Sequence, residues 1–215
     1  MIESILPTGV LCVEGPILTG GWDVMPEESA LTAASGEKRK AEFLTGRTYA
    51  RRALGLLGAV APPLLSHADR SPIWPEGVAG CITHTREYCA VAVAKSTAFR
   101  SLGIDIENPG RISDAIGLKI FTDPEREALA AGPVLSLQER KSALFCAKEA
   151  FYKMQFPLTH AWIGFQDVNV VLEEDGTYAL TLLKKIGGEF VPGRVFNGRF
   201  IVTPERVGTF MTLFR

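Results

Sequence analysis

The chain has 215 residues, 47% of them hydrophobic and 22% charged, with a formal net charge of −1. That length suffices for one large domain or two small ones with a real core. The charge balance excludes the global basic field of a typical nucleic-acid binder, and the longest apolar runs, such as CAVAVA at 89–94, are too short to span a bilayer. The first ten residues lack a basic region ahead of a long apolar core, so no secretory signal is expected. Cys12, Cys81, Cys89 and Cys146 show no C-x-x-C spacing, and with three His a zinc cluster is not expected. The expectation is a reduced, cytoplasmic protein with thiols rather than disulfides, no nucleic-acid partner and no membrane span.

In chain order, residues 1–35 read as strands and turns. Residues 37–58 read as a helix whose apolar stripe is Phe43, Ala50, Leu54 and Leu57, with Gly58 to end it. The Pro- and Gly-rich segment 60–80 reads as loop. The apolar run 87–94 reads as a fully buried strand. A second strand at 101–107 alternates Leu102, Ile104 and Ile106 with Gly103, Asp105 and Glu107. A helix follows at 123–131, with Asp123 as N-cap and Pro124 at its first position. A further helix at 139–154 has the apolar face Ala143, Leu144, Ala147, Ala150, Phe151 and Met154. Residues 161–215 read mostly as strand, and Asp175-Gly176 between two apolar runs predicts a hairpin. Each half thus carries a long helix and several strands, which predicts an α+β fold of two comparable halves joined near 95–110.

Four features carry chemistry. Asp105 and Glu107 share one face of their strand, about 7 Å apart. Two such carboxylates disfavour each other's ionisation and want a cation. Oxygen ligands at this spacing suit Mg²⁺, which takes one or two carboxylates together with substrate phosphates and water; a solvated strand face is the plainer reading. Glu149 and Lys153 lie one helical turn apart, either as a simple ion pair or as a third oxygen ligand and a phosphate contact. Arg47 falls inside the apolar sector of the first helix. Its guanidinium either pairs with phosphate or carboxylate or snorkels to solvent, and Arg39 extends a basic track. Thr83 and His84 precede the buried strand, where His84 is a phosphate donor or a structural or exposed loop residue. The glycines match neither G-x-x-x-x-G-K-[ST] nor G-x-G-x-x-G, and no Ser-His-Asp order or activated Cys is evident.

Taken together, EKRKAEFLTGRTYARRAL (37–54), SPIWPEGVAGCITHTREYCAVAVA (71–94), GIDIE (103–107) and FCAKEAFYK (145–153) resemble the 4′-phosphopantetheinyl transferases of the two-half, monomeric type, the enterobactin synthase component D branch in particular. The resemblance implies two similar halves related by a pseudo-two-fold axis, 1–102 and 103–215, each a small antiparallel sheet packed on a long helix, with the active site in the cleft between them. It implies transfer of the 4′-phosphopantetheine arm of coenzyme A to a serine of an apo carrier protein, with release of 3′,5′-ADP. Asp105, Glu107 and Glu149 would hold Mg²⁺ with the coenzyme A pyrophosphate, Glu107 directly or through water. Lys153 would neutralise charge on the leaving group, Glu149 would act as base, and Arg39, Arg47, Arg70, Thr83 and His84 would bind the nucleotide phosphates. Cys81 stands where this branch usually has Ser. Two other readings remain open: a Mg²⁺-dependent phosphohydrolase, and a non-catalytic coenzyme A- or carrier-binding module on the same fold. Residues 111–122 are a candidate docking surface for the carrier.

Overall fold

The computed structural model describes residues 1–131 and 135–215. The chain forms two compact units, Met1–Leu102 with Leu213–Arg215, and Gly103–Thr212. In the first unit a 3₁₀ turn at Ile2–Ile5 leads into strand β1 (Val10–Pro16). Helix α1 (Pro26–Ala30), helix α2 (Glu37–Leu56), strand β2 (Val78–His84) and strand β3 (Tyr88–Lys95) follow. The first 35 residues therefore hold one strand and a short helix rather than several strands. The sheet order is β1-β3-β2, antiparallel throughout, with Cys12 and Cys81 both opposite Ala92.

β3 is buried from Cys89 to Ala94 because it lies between two strands and under α2. That leaves no solvent face to alternate toward, which is why the run reads as continuous apolar residues. The core beneath α2 is built by Tyr49, Ala50, Ala53, Leu54, Leu64, Cys89, Val91 and Val93. The expected stripe is partly displaced. Ala50 and Leu54 are buried, Phe43 and Leu57 only half so, and Leu44 and Tyr49 take their place. The helix ends where Gly58, at φ +71°, lets the Ala59 amide reach back to the Leu54 carbonyl.

The second unit begins within strand β4 (Phe99–Glu107), which enters from the first. Helices α3 (Asp114–Ile120), α4 (Asp123–Ala131) and α5 (Leu137–Thr159) follow. Strands β5 (Val168–Leu172), β6 (Thr177–Leu182), β7 (Val195–Val202) and β8 (Val207–Phe214) complete it. The five-stranded sheet has the order β4-β8-β7-β6-β5, and α5 packs on β5, β6 and β7. The β5–β6 hairpin turns at Asp175-Gly176 as expected, with Gly176 at φ +82° and the Asp175 carboxylate accepting from the Thr177 amide at 2.9 Å. Each unit is thus an antiparallel sheet carried on a long helix, the α+β arrangement anticipated. Among the described residues no helix is long and apolar enough to cross a membrane.

Two local expectations change. The cap of α4 is Thr122 rather than Asp123. The Thr122 amide donates to Glu125 Oε2 at 2.8 Å, and the Thr122 hydroxyl accepts from the Glu125 amide. This reciprocal box satisfies two donors that Asp123 would leave open. Helix α5 also runs beyond 139–154: Ser136 and Glu139 form a second such box at its start, and His160, at φ 51°, ends it.

Candidate functional site

The plainer reading of β4, with one face in the core and the other in solvent, does not hold. Both faces are buried: apart from Arg100, every residue of the strand is inaccessible, and Asp105 and Glu107 are only 6% and 5% exposed. The reason is α5. A Cβ placed on Gly103 would lie 1.8 Å from the Ala150 carbonyl oxygen, so the helix backbone rests directly on the strand at that point. Gly103, Asp105 and Glu107 share a face by the two-residue period. The contact that requires glycine is therefore the one that turns the carboxylates toward α5.

On α5, Lys153 reaches across to β4 instead of serving only its helical neighbour. Its Nζ lies 2.6 Å from Asp105 Oδ1 and donates to the Ile104 carbonyl at 3.3 Å. Glu149, one turn earlier, is half-buried. Burial chiefly pushes its carboxyl above the ordinary range, with the charges of Asp105 and Glu107 adding to the shift and Lys153 opposing it. The four residues expected from two separate segments thus share one electrostatic environment. Glu107 has its own counter-charge, which the sequence reading missed: Arg111 Nη1 lies 3.0 and 3.2 Å from its two oxygens, and the Asn108 amide donates to Oε1 at 2.9 Å. Pro109-Gly110 was the available signal, since a tight turn there brings residue 111 back over residue 107.

Glu149 also borders a cavity of about 310 Å³ lined by Lys148, Tyr152, Trp162, Ile163, Phe165 and Val168, among others. Its wall is tied by a buried ion pair. Lys148 Nζ sits 2.7 Å from Glu125 Oε2 and donates to the carbonyls of Ile120, Phe165 and Val168. Glu125 accepts in turn from the Thr122 and Val170 amides. This pair was not foreseen, because a Lys beside a Glu on a helix reads as surface in one dimension.

In the first unit, Arg39 and His84 meet, with Nη1 to Nε2 at 3.2 Å. Arg39 is an N–H donor there, so Nε2 accepts, and Nδ1, 3.2 Å from the Thr85 carbonyl, carries the proton. Thr83 and His84 belong to the end of β2, not to a loop, and Thr83 is buried. Arg47 is buried rather than snorkelled. Its Nε donates to the Leu64 carbonyl at 2.7 Å and its Nη2 to Ser66 Oγ at 2.8 Å, and its guanidinium lies over the Phe43 ring. Desolvation lowers its pKa to about 10, which leaves it charged at neutral pH. Ser66 bridges to Pro72, closing a loop in which exposed Arg70 takes φ 72°. Arg47 therefore supports the loop that presents Arg70.

The donor set suits a hard divalent cation in kind. All the oxygens are carboxylate, two of the three acids are nearly buried, and both of these have gathered cationic side chains. This is the behaviour of a site that collects positive charge. Among the described residues, however, no three of His, Cys, Asp or Glu group to hold a metal unaided. The expected trio is not preassembled, and a Mg²⁺ ion here would need phosphate and water to complete its shell, as Mg²⁺ commonly does.

Comparison with known proteins places both units in one family. Residues 27–94 match the 4′-phosphopantetheinyl transferase N-terminal domain, and residues 101–203 match the 4′-phosphopantetheinyl transferase superfamily. The chain belongs to the 4′-phosphopantetheinyl transferase superfamily and is an enzyme of that class. It is 41% identical over 179 residues to the 4′-phosphopantetheinyl transferase Npt of Nocardia iowensis, covering 82% of this chain and 79% of the relative. Against the 4′-phosphopantetheinyl transferase PptT of Mycobacterium tuberculosis the identity is 40% over 189 residues, with the same coverage. Against enterobactin synthase component D of Escherichia coli it is 34% over 140 residues, covering 64% of each chain.

Proposed function

We propose that this enzyme transfers the 4′-phosphopantetheine arm of coenzyme A to a serine of an apo carrier protein, uses Mg²⁺, and releases 3′,5′-ADP. The observation that carries the reading is the contact of Lys153 with Asp105, beside Glu107 and Glu149, in a chain of this family. The serine oxygen of the carrier forms a bond to the phosphorus of the pantetheine phosphate, and the bond from that phosphorus to the oxygen of 3′,5′-ADP breaks. The serine proton passes to Glu149, directly or through a water. Lys153 offsets charge growing on the leaving phosphate. Arg39, His84 and Arg70 are cationic or donor groups suited to the nucleotide phosphates, with the Thr83 hydroxyl in the same set, and Arg47 acts indirectly, by supporting the loop that presents Arg70.

Asp105, Glu107 and Glu149 would hold Mg²⁺, which when bound offsets charge on the diphosphate. Phosphoryl transfer rests mainly on such positioning and charge stabilisation. The resemblance to enterobactin synthase component D supports carriers of siderophore-type peptide synthesis. The test is incubation with coenzyme A, Mg²⁺ and a panel of apo carriers, read by intact-protein mass. A carrier that gains the mass of the arm supports the reading. Coenzyme A cleaved without any acceptor gaining mass supports a hydrolase instead.

A further inference from the structure

The second unit holds a cation of its own on one of the acids assigned to the metal. Glu107 is 6% exposed at its side chain, yet its partner Arg111 is 66% exposed. The turn at 108–111, with Gly110 at φ +89°, folds the guanidinium back onto both carboxylate oxygens. Both oxygens accept from the same guanidinium nitrogen, so a divalent ion taking Glu107 competes with Arg111 for that carboxylate. The Arg111 guanidinium is largely in water, so releasing it costs little, and the incoming metal supplies the counter-charge that buried Glu107 needs.

We propose that Arg111 is a tethered competitor for Glu107 that sets the affinity of this site for a divalent cation. The inference rests on the metal assignment given under Proposed function. Arg111 shields Glu107 from the charges of Asp105 and Glu149 until a metal arrives, and the metal then takes over that work. Binding is weakened by about the worth of an exposed ion pair, roughly two- to fivefold.

The experiment is titration with Mn²⁺ of the full-length protein saturated with coenzyme A, reading by electron paramagnetic resonance the loss of free Mn²⁺ beyond that seen with coenzyme A alone. Four proteins are compared: wild type, Arg111→Gln, Glu107→Gln and the double variant. Arg111→Gln should bind Mn²⁺ about two- to fivefold tighter than wild type. In the Glu107→Gln background the same change should have no effect, which separates competition for Glu107 from a general loss of positive charge. Unchanged affinity in Arg111→Gln overturns the inference and leaves the metal assignment standing. So does an equal gain in both backgrounds. If none of the four binds Mn²⁺, the metal assignment fails and takes this inference with it.

Discussion

Glu149 illustrates how a single side chain acquires chemistry from its surroundings. In the sequence it is one acid of a helix with a lysine four residues on, a pattern that usually only solvates a surface. In the folded chain it is half-buried in the field of Asp105, Glu107 and Lys153. Glu149→Gln keeps the shape, removes the base and leaves an amide that tolerates burial. Transfer to carrier should fall by at least about a hundredfold, while the melting temperature stays within a degree or two because the change costs about 0.5 kcal/mol at most. Holo-carrier yield by mass and a thermal melt measure the two; full activity in this variant would remove Glu149 from the mechanism.

Cys12 makes the complementary case, a reactive residue type made inert. Burial, chiefly, with Glu14 and Glu3 adding, pushes its thiol from the ordinary 9.0 up to about 12. At pH 8 the thiolate population, and with it alkylation of the native protein, should be roughly a thousandfold below that of an unfolded chain. The sign for stability follows from the raised value. Both states are protonated below pH 9, so the Cys12 contribution is complete there. It is lost as pH climbs toward 12, where only the unfolded chain releases the proton. Iodoacetamide labelling of Cys12, native against denatured, checks the rate.

At the scale of elements, the meeting of Asp105 with Glu149 and Lys153 depends on how closely α5 lies on β4. Gly103 allows that approach, since any Cβ would collide with the Ala150 carbonyl. Gly103→Ala should cost about 1–3 kcal/mol or more by overpacking. The helix must move away from the strand, carrying Glu149 and Lys153 from Asp105, so activity should fall further than the loss of folded protein explains. Denaturant unfolding beside specific activity per folded molecule tests this; wild-type values for both would show that the contact is not needed. The pattern of α5 was readable, because Ala143, Leu144, Ala147, Ala150, Phe151 and Met154 repeat at helical spacing and are all buried. The buried Lys148–Glu125 pair was not readable. Its partners come from α4, β5 and the Ile120 and Phe165 segments, and nothing local announces them.

For the molecule as a whole, the backbone passes from the first unit to the second at residues 102–103 and returns at 212–213. The returning tail is anchored in the first unit. The Arg215 amide donates to the Ala98 carbonyl at 3.0 Å, Arg215 Nε donates to the Ser96 carbonyl at 2.8 Å, and Phe214 packs its ring 5.2 Å from Phe99. Removing residues 213–215 deletes an aromatic pair and two hydrogen bonds, together about 2 kcal/mol. The melting temperature should drop by about 4–8 °C for a chain of this size. An unchanged melt would mean that the tail adds nothing to the first unit.

Local periodicity, turn chemistry and short motifs were enough to make the α+β class, the long helices, the 175–176 hairpin and the family legible in the chain. They also drew attention to Asp105, Glu107, Glu149 and Lys153, which the fold brings into one electrostatic neighbourhood. It took the folded chain to show that the carboxylate strand is covered on both faces, that Lys153 crosses to Asp105, that Arg111 takes Glu107 and that Arg47 is spent under the Arg70 loop. A residue pattern states which side of an element a group occupies. Which element then packs against that side, and which charges it brings, is settled by contacts between residues far apart in the chain.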